Sequence, residues 1–365
     1  LIALTLAIIL FIGTHSTDTK AVTFKDYEAA VADNHNVTIK GLSMGGDGEN
    51  FNARLYKPPG NGPFPTLVAL HGAGGIFPYQ LWWAKEISKN GFVVLFVDSY
   101  CTRGHLCDHD TDDSDPNRGE IMRNWDVVSM RQRMVDAMGA YAFLVSKPYV
   151  KKNQIGLIGW SWGGTAALFA QKFSTRTNLP HGGFKGTIAF YPNLKYVTEN
   201  PQWEGSGPIE QPSLILYGKD DTLESVESYE ELLEENDSGS ISVIGFKGAV
   251  RKFDELGDAR TKEHPSVGEF EKAFHEPSFK AAVKRVNEFL SKNFNNPFRY
   301  SKVLRLIDET DSSILNNITT VTMAKMGTDA DFYPDNGNAA VMTASTYTTA
   351  GKTVLAYYEG GDPND

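Results

Sequence analysis

The chain has 365 residues, with 35 Lys and Arg against 45 Asp and Glu, a formal net charge of −10. With 41% apolar and 22% charged residues it has globular make-up, which excludes disorder, collagen or coiled coil along the whole chain; a mean hydropathy of −0.32 excludes a polytopic membrane protein. The acidic balance also speaks against nucleic acid as a partner, because phosphate binding needs a basic face.

In chain order, residues 1–13 (LIALTLAIILFIG) form an apolar run too short for a comfortable membrane span and of the length of a signal-peptide core. Thr14 and Ser16 supply small residues for cleavage, so residues 1–20 read as a signal peptide with a truncated start, and the mature chain is expected outside the cytoplasm with no membrane span. In an exported chain Cys101 and Cys107 suit a small-loop disulfide, with two free thiols as the alternative. Sequons at Asn36, Asn236 and Asn317 carry little weight, since such short motifs arise by chance.

Six short apolar, β-rich runs follow: residues 65–70 (PTLVAL), 91–98 (GFVVLFVD), 154–159 (QIGLIG), 186–191 (GTIAFY), 213–218 (SLILYG) and 241–246 (ISVIGF). Continuous apolar strands of this kind belong to a parallel sheet covered on both faces. Amphipathic stretches at 125–147 and 279–294 predict helices, the second closing the series. Strands alternating with helices give an α/β fold over residues 24–296, with the site at the carboxyl ends of the strands. After Pro297 the composition changes. Residues 317–325, 340–349 and 353–359 are rich in Thr and Tyr, so 297–365 is expected to be a small β-rich extension of unknown role.

The string Gly159-Trp160-Ser161-Trp162-Gly163-Gly164 matches G-x-S-x-G between a strand and a helix-forming run at 165–172. A nucleophile on such a turn needs glycines two residues away on either side, and the turn lifts the hydroxyl clear of the sheet. Ser161 is therefore the expected nucleophile. The strand at 65–70 runs into His71-Gly72-Ala73-Gly74-Gly75, where backbone N–H groups of Gly72 and Ala73 would join that of Trp162 in an oxyanion hole. His71 reads as a loop brace and not as the base. After the strand at 213–218, Asp221 is the expected orienting acid and Asp220 its rival.

These features together resemble the dienelactone hydrolase family of α/β-hydrolases, over roughly residues 51–294. The resemblance rests on Asp98-Ser99-Tyr100 with Arg103-Gly104 and Cys107, on Arg133, Asp136 and Ala137, on Gly159 to Gly164, on Gly218 to Asp221, and on Gly248-Ala249-Val250-Arg251-Lys252-Phe253-Asp254. It implies an α/β-hydrolase fold, no cofactor or metal, and a small-molecule ester or lactone as substrate, cleaved through an acyl-enzyme at Ser161. Two departures stand out. The best-known members carry Cys where this chain has Ser161, and a Glu where it has Gly72.

The third departure is Arg251, which takes the place of the family's catalytic His. A guanidinium has five donors and no acceptor and stays protonated, so it cannot take the Ser161 proton. His264 or His275 would then have to serve as base, His264 being preferred. The alternative is an impaired hydrolase or a binding protein in the same fold. An acidic run at residues 108–115 has alternate carboxylates like the start of a calcium loop, with a solvated loop as the ordinary reading. Phe77, Tyr79, Trp82, Trp83, Trp160 and Trp162 are the aromatics expected near the mouth, Trp160 with a packing role as the equal alternative.

Overall fold

The computed structural model describes residues 22–33, 35–43, 47–104, 128–177, 179–194, 209–236, 239–264, 268–294, 347–349 and 352–354. The six apolar runs become six parallel strands: β3 (Phe64–Leu70), β4 (Val93–Asp98), β5 (Val150–Trp160), β6 (Thr187–Phe190), β7 (Ser213–Gly218) and β8 (Ile241–Phe246). Two strands not foreseen, β1 (Asn36–Ile39) and β2 (Phe51–Tyr56), extend the sheet antiparallel, giving the order β1-β2-β4-β3-β5-β6-β7-β8. Every residue of β3 and β4 is buried, as the unbroken apolar runs require.

The strands alternate with α1 (Phe24–Ala32), α2 (Pro78–Lys89), α3 (Met130–Val145), α4 (Trp162–Arg176), α5 (Val226–Glu235) and α6 (Glu276–Asn293). The stretch predicted from residue 125 starts its helix at Met130, where the Ser129 side chain accepts from the Gln132 N–H and caps the first turn. The closing helix starts three residues earlier than its apolar pattern, because Pro277 fits the first turn. The α/β architecture expected from the sequence is thus present.

Residues 255–277, which contain Gly and Pro and no apolar run, form an antiparallel hairpin of β9 (Arg260–His264) and β10 (Gly268–Lys272). Its strands read RTKEH and GEFEK, and so carry no apolar run to announce them. Cys101, in a short 3-10 turn after β4, is disulfide-bonded; the other cysteine, Cys107, lies outside the described residues. So do the segment at 1–20, the acidic run at 108–115 and the predicted strand at 317–325.

Contacts divide the chain into Leu1–Asn296 and Pro297–Asp365. In the second unit the described residues are two short antiparallel strands, β11 (Tyr347–Thr349) and β12 (Lys352–Val354). Among the described residues no helix is long and apolar enough to cross a membrane.

Candidate active site

Ser161 sits between β5 and α4 with φ 53° and ψ −121°, a left-handed backbone that costs a non-glycine residue about 1–3 kcal/mol. The sequence enforces this turn by contact. A Cβ on Gly159 would stand 2.2 Å from the Gly163 carbonyl oxygen, and one on Gly163 would stand 2.1 Å from that of Leu70. Only glycine fits at either place, so β5, α4 and the end of β3 close together around the serine. The Ser161 N–H donates to Phe190 O at 2.8 Å, and its carbonyl accepts from the Thr165 N–H at 3.0 Å. The hydroxyl is thereby fixed at the N-terminal end of α4, where helix N–H groups and the helix dipole favour negative charge.

The loop His71–Gly75 passes directly over this turn. A Cβ on Gly72 would lie 3.5 Å from Ser161 Cβ, and the Gly75 N–H donates to Gly72 O at 3.2 Å. The loop is therefore packed against the serine turn from which α4 begins at Trp162. His71 is fully buried. Its Nδ1 lies 2.7 Å from Gly72 O, and its Nε2 accepts from the Ser99 N–H at 3.3 Å. Buried Arg133 donates to the His71 carbonyl. These bonds make His71 a brace of the loop, as its position at the strand end suggested.

Asp221 follows β7, with Oδ1 accepting from the Leu223 N–H at 2.9 Å. Arg251 follows β8 and is 3% exposed, which places its charge away from water. Its Nη1 donates to Asp221 Oδ2 at 2.8 Å, and its Nη2 donates to both Ser161 Oγ at 2.8 Å and Tyr191 O at 3.0 Å. The guanidinium thus bridges the Asp221 carboxylate and the Ser161 hydroxyl. Burial pushes its pKa down, but the Asp221 carboxylate more than offsets this and holds it above the ordinary arginine value. Asp220 has an exposed side chain, and its N–H donates to Ala249 O at 3.0 Å.

The two candidate bases fall elsewhere on the backbone. His264 ends β9 and pairs with Gly268 at one end of the hairpin, whereas Lys272 at the other end bridges Arg251. Four residues of extended strand, about 13 Å, separate those ends; the His264 side chain is outside the described residues. His275 precedes α6, with Nδ1 2.6 Å from Ser278 Oγ, and its N–H donates to Phe253 O at 3.0 Å. That ring is occupied at the start of the helix.

A second buried charge lies three residues beyond Arg251, at the end of the segment 248–254, where the sequence gives it no role of its own. Asp254 is 0% exposed. Its Oδ2 accepts from the indole N–H groups of Trp83 and Trp160, each at 3.1 Å, and its Oδ1 accepts from the Tyr191 hydroxyl at 2.8 Å. Burial pushes the Asp254 carboxyl up to about 6, against the pull of the Tyr191 and Trp160 hydrogen bonds. Trp160 is stacked between Phe96 and Phe190 and fully buried, so it packs the core beneath the serine and lines no acyl pocket. Phe77, Tyr79 and Trp83 are likewise buried. A Trp before the nucleophile and an Asp after the Phe at position 253 were the available signals, but nothing in the sequence says that they meet.

The dienelactone hydrolase family model matches residues 51–292. The chain belongs to that family. A second family model, the C-terminal domain III of baseplate structural protein gp6, matches residues 280–326, a stretch that begins within α6. Among curated proteins the chain is similar to a probable 2-oxo-3-(5-oxofuran-2-ylidene)propanoate lactonase of Bradyrhizobium, 25% identical over 44% of this chain and 58% of that protein. It is also similar to the thiohydrolase aneE of Aspergillus aculeatus, 31% identical over 36% of this chain and 37% of that one. The chain thus spans little more than half of the first of these relatives and about a third of the second.

Among solved structures, a dienelactone hydrolase-like promiscuous phosphotriesterase from metagenomic libraries superposes with a TM-score of 0.54 at 17% identity, covering 71% of this chain and 98% of that one. A dienelactone hydrolase described as putative, from Klebsiella pneumoniae, gives 0.51 at 14% identity, covering 71% and 99%. At these identities the likeness concerns the fold, which agrees with the family assignment.

Proposed function

We propose that the protein hydrolyses carboxylic esters or lactones through an acyl-enzyme at Ser161, and that it does so slowly. The observation that carries this reading is the strained serine at the start of α4, held by glycine contacts against the Gly72–Ala73 loop. Strain of this kind persists only where the surroundings over-determine it, and it gathers at functional sites. In this reading Ser161 Oγ attacks the acyl carbon, and the N–H groups of Trp162, Gly72 and Ala73 receive the developing oxyanion. Asp221 holds Arg251, and Arg251 holds the serine hydroxyl. A site with nucleophile and oxyanion hole but no working base keeps about 10³–10⁴-fold acceleration over water. The disulfide at Cys101 supports a place outside the cytoplasm.

The test is covalent labelling of Ser161 by a fluorophosphonate, with Ser161→Ala as control. Labelling of the wild type alone supports the nucleophile, and equal labelling of both chains removes Ser161 from the mechanism. If His264→Ala abolishes turnover while Arg251→Lys does not, the base is His264. The clamp of Arg251 on Ser161 and Asp221 favours a second reading, a binding cleft without turnover. Failure of Ser161 to label at any pH, in a folded chain, would select it.

A further inference from the structure

We infer that the site accepts only acyl donors whose leaving group departs as a stable anion: thioesters, aryl esters and enol esters or enol lactones, not simple alkyl esters. This rests on the reading of Ser161 as nucleophile and sharpens it. The argument begins with Arg251, whose Nη2 lies 2.8 Å from Ser161 Oγ while its Nη1 is held by Asp221. Among the described side chains, this guanidinium is what stands at the nucleophile where a proton carrier is needed. It supplies charge and hydrogen bonds, and it neither takes nor gives a proton.

Each half-reaction then has a fixed balance. In acylation the Ser161 O–H bond breaks and its proton passes to hydroxide from solvent, which becomes water. The Oγ–acyl bond forms, and the bond from acyl carbon to leaving group breaks, the electron pair leaving with that group. With no described side chain placed to protonate it, the leaving group departs as an anion. Thiols and phenols, with pKa values of about 8.5 and 10, can do so. An alkoxide is far more basic, its parent alcohol being an acid about as weak as water.

In deacylation hydroxide attacks the acyl carbon, the bond from that carbon to Oγ breaks, and the Ser161 oxygen departs and is reprotonated through solvent, regenerating the hydroxyl and releasing the acid as its carboxylate. That oxygen is itself an alkoxide, and its departure is helped only by the Arg251 N–H that already faces it. Deacylation is thus the slower half, and acylated Ser161 accumulates. Two further properties follow. The substrate gives a burst of one leaving group per chain, and the rate rises with hydroxide concentration through neutral pH, because hydroxide is consumed in both half-reactions.

The experiment is a butyryl series (S-phenyl, p-nitrophenyl, phenyl and ethyl) with wild type and Arg251→His, read as kcat/KM and as acyl-enzyme by intact mass. The wild type should lose at least about 10³-fold from p-nitrophenyl to ethyl. Arg251→His should raise the ethyl ester about 10²-fold more than the p-nitrophenyl ester, within the usual worth of a positioned acid of about 10²–10⁴-fold. Wild-type rates for ethyl and phenyl esters within tenfold of each other, with Ser161 acylated, would overturn the leaving-group inference and leave the nucleophile in place. Absence of acylation by every substrate would overturn both. Should Arg251→His fail to fold, the wild-type series and its pH–rate slope decide the matter: a slope near one from pH 6 to 9 supports the inference, and a plateau near pH 7 overturns it.

Discussion

On the side of the site built from the ends of β3 and β5, position is set by backbone contact: glycines too close for any side chain, and a serine forced into left-handed φ. On the side built from the loops after β7 and β8, position is set by charge: Asp221 and Arg251 neutralise one another, and Asp254 is held by neutral donors alone. In the proposed reading, the first side supplies the nucleophile. The second has rigid electrostatics and, among the described side chains, no proton acceptor at the serine. Backbone contact survives many side-chain changes, whereas a charge set depends on each member.

The largest effect should come from the contact side. Ser161→Ala should reduce ester hydrolysis to the buffer rate with the fold intact. Ser161→Gly should do the same, yet be about 1 kcal/mol more stable than Ser161→Ala, because glycine relieves the left-handed φ. Urea denaturation of the pair measures this; equal midpoints would mean that the turn stores no strain.

Next comes the charge side. Arg251→Met leaves Asp221 buried without its cation and should cost about 3–5 kcal/mol. Adding Asp221→Leu should recover most of that loss, which a double-mutant cycle by chemical denaturation would read. A double variant no more stable than the single one would show that packing, not charge, governs this side.

Asp254 sharpens the contrast through pH. Its folded-state pKa of about 6 lies above its ordinary 3.8, so between those values the folded chain keeps a proton that the unfolded chain releases. Its contribution to stability is therefore fully present below about pH 4 and is lost as pH rises through 6, by about 3 kcal/mol at 1.36 kcal/mol per unit. Asp254→Asn lacks this dependence. Relative to that variant, the wild type should gain stability from pH 7 to pH 4, and a constant difference would contradict the assignment. The smallest effect should be that of Asp220→Asn, whose exposed side chain places it within about 0.5 kcal/mol of wild type, with unchanged turnover; Asp221→Asn should impair both stability and rate.

The contact side was legible in the sequence because its chemistry is local. Gly159, Ser161 and Gly163 lie within one turn, and the apolar strands around them show as continuous runs. β7 and β8 agree with the predicted runs to the residue. Arg251 was legible as an anomaly against the family pattern. Its three partners, Ser161, Asp221 and Tyr191, come from three other strand ends and only the fold brings them together. The Asp254 cluster was invisible for the same reason: Trp83 and Trp160 lie 171 and 94 residues away in sequence. Trp160 was weighed as a pocket wall or a packing residue, and the flat stack with Phe96 and Phe190 decides for packing. The β9–β10 hairpin escaped because charged residues dominate both strands.

That hairpin has a consequence for motion. Through Lys272 it lies along Arg251 as a short parallel bridge, and the amide hydrogens of Ala273 and His275 bond to the carbonyls of Arg251 and Phe253 at 3.3 and 3.0 Å. The arginine is thus stitched to its neighbours at the main chain as well as at the guanidinium. Moving this segment of backbone would require unzipping the main-chain stitches, so those two amides should exchange with deuterium as slowly as the amides of β8, and this flank of the serine should behave as a wall and not as a door.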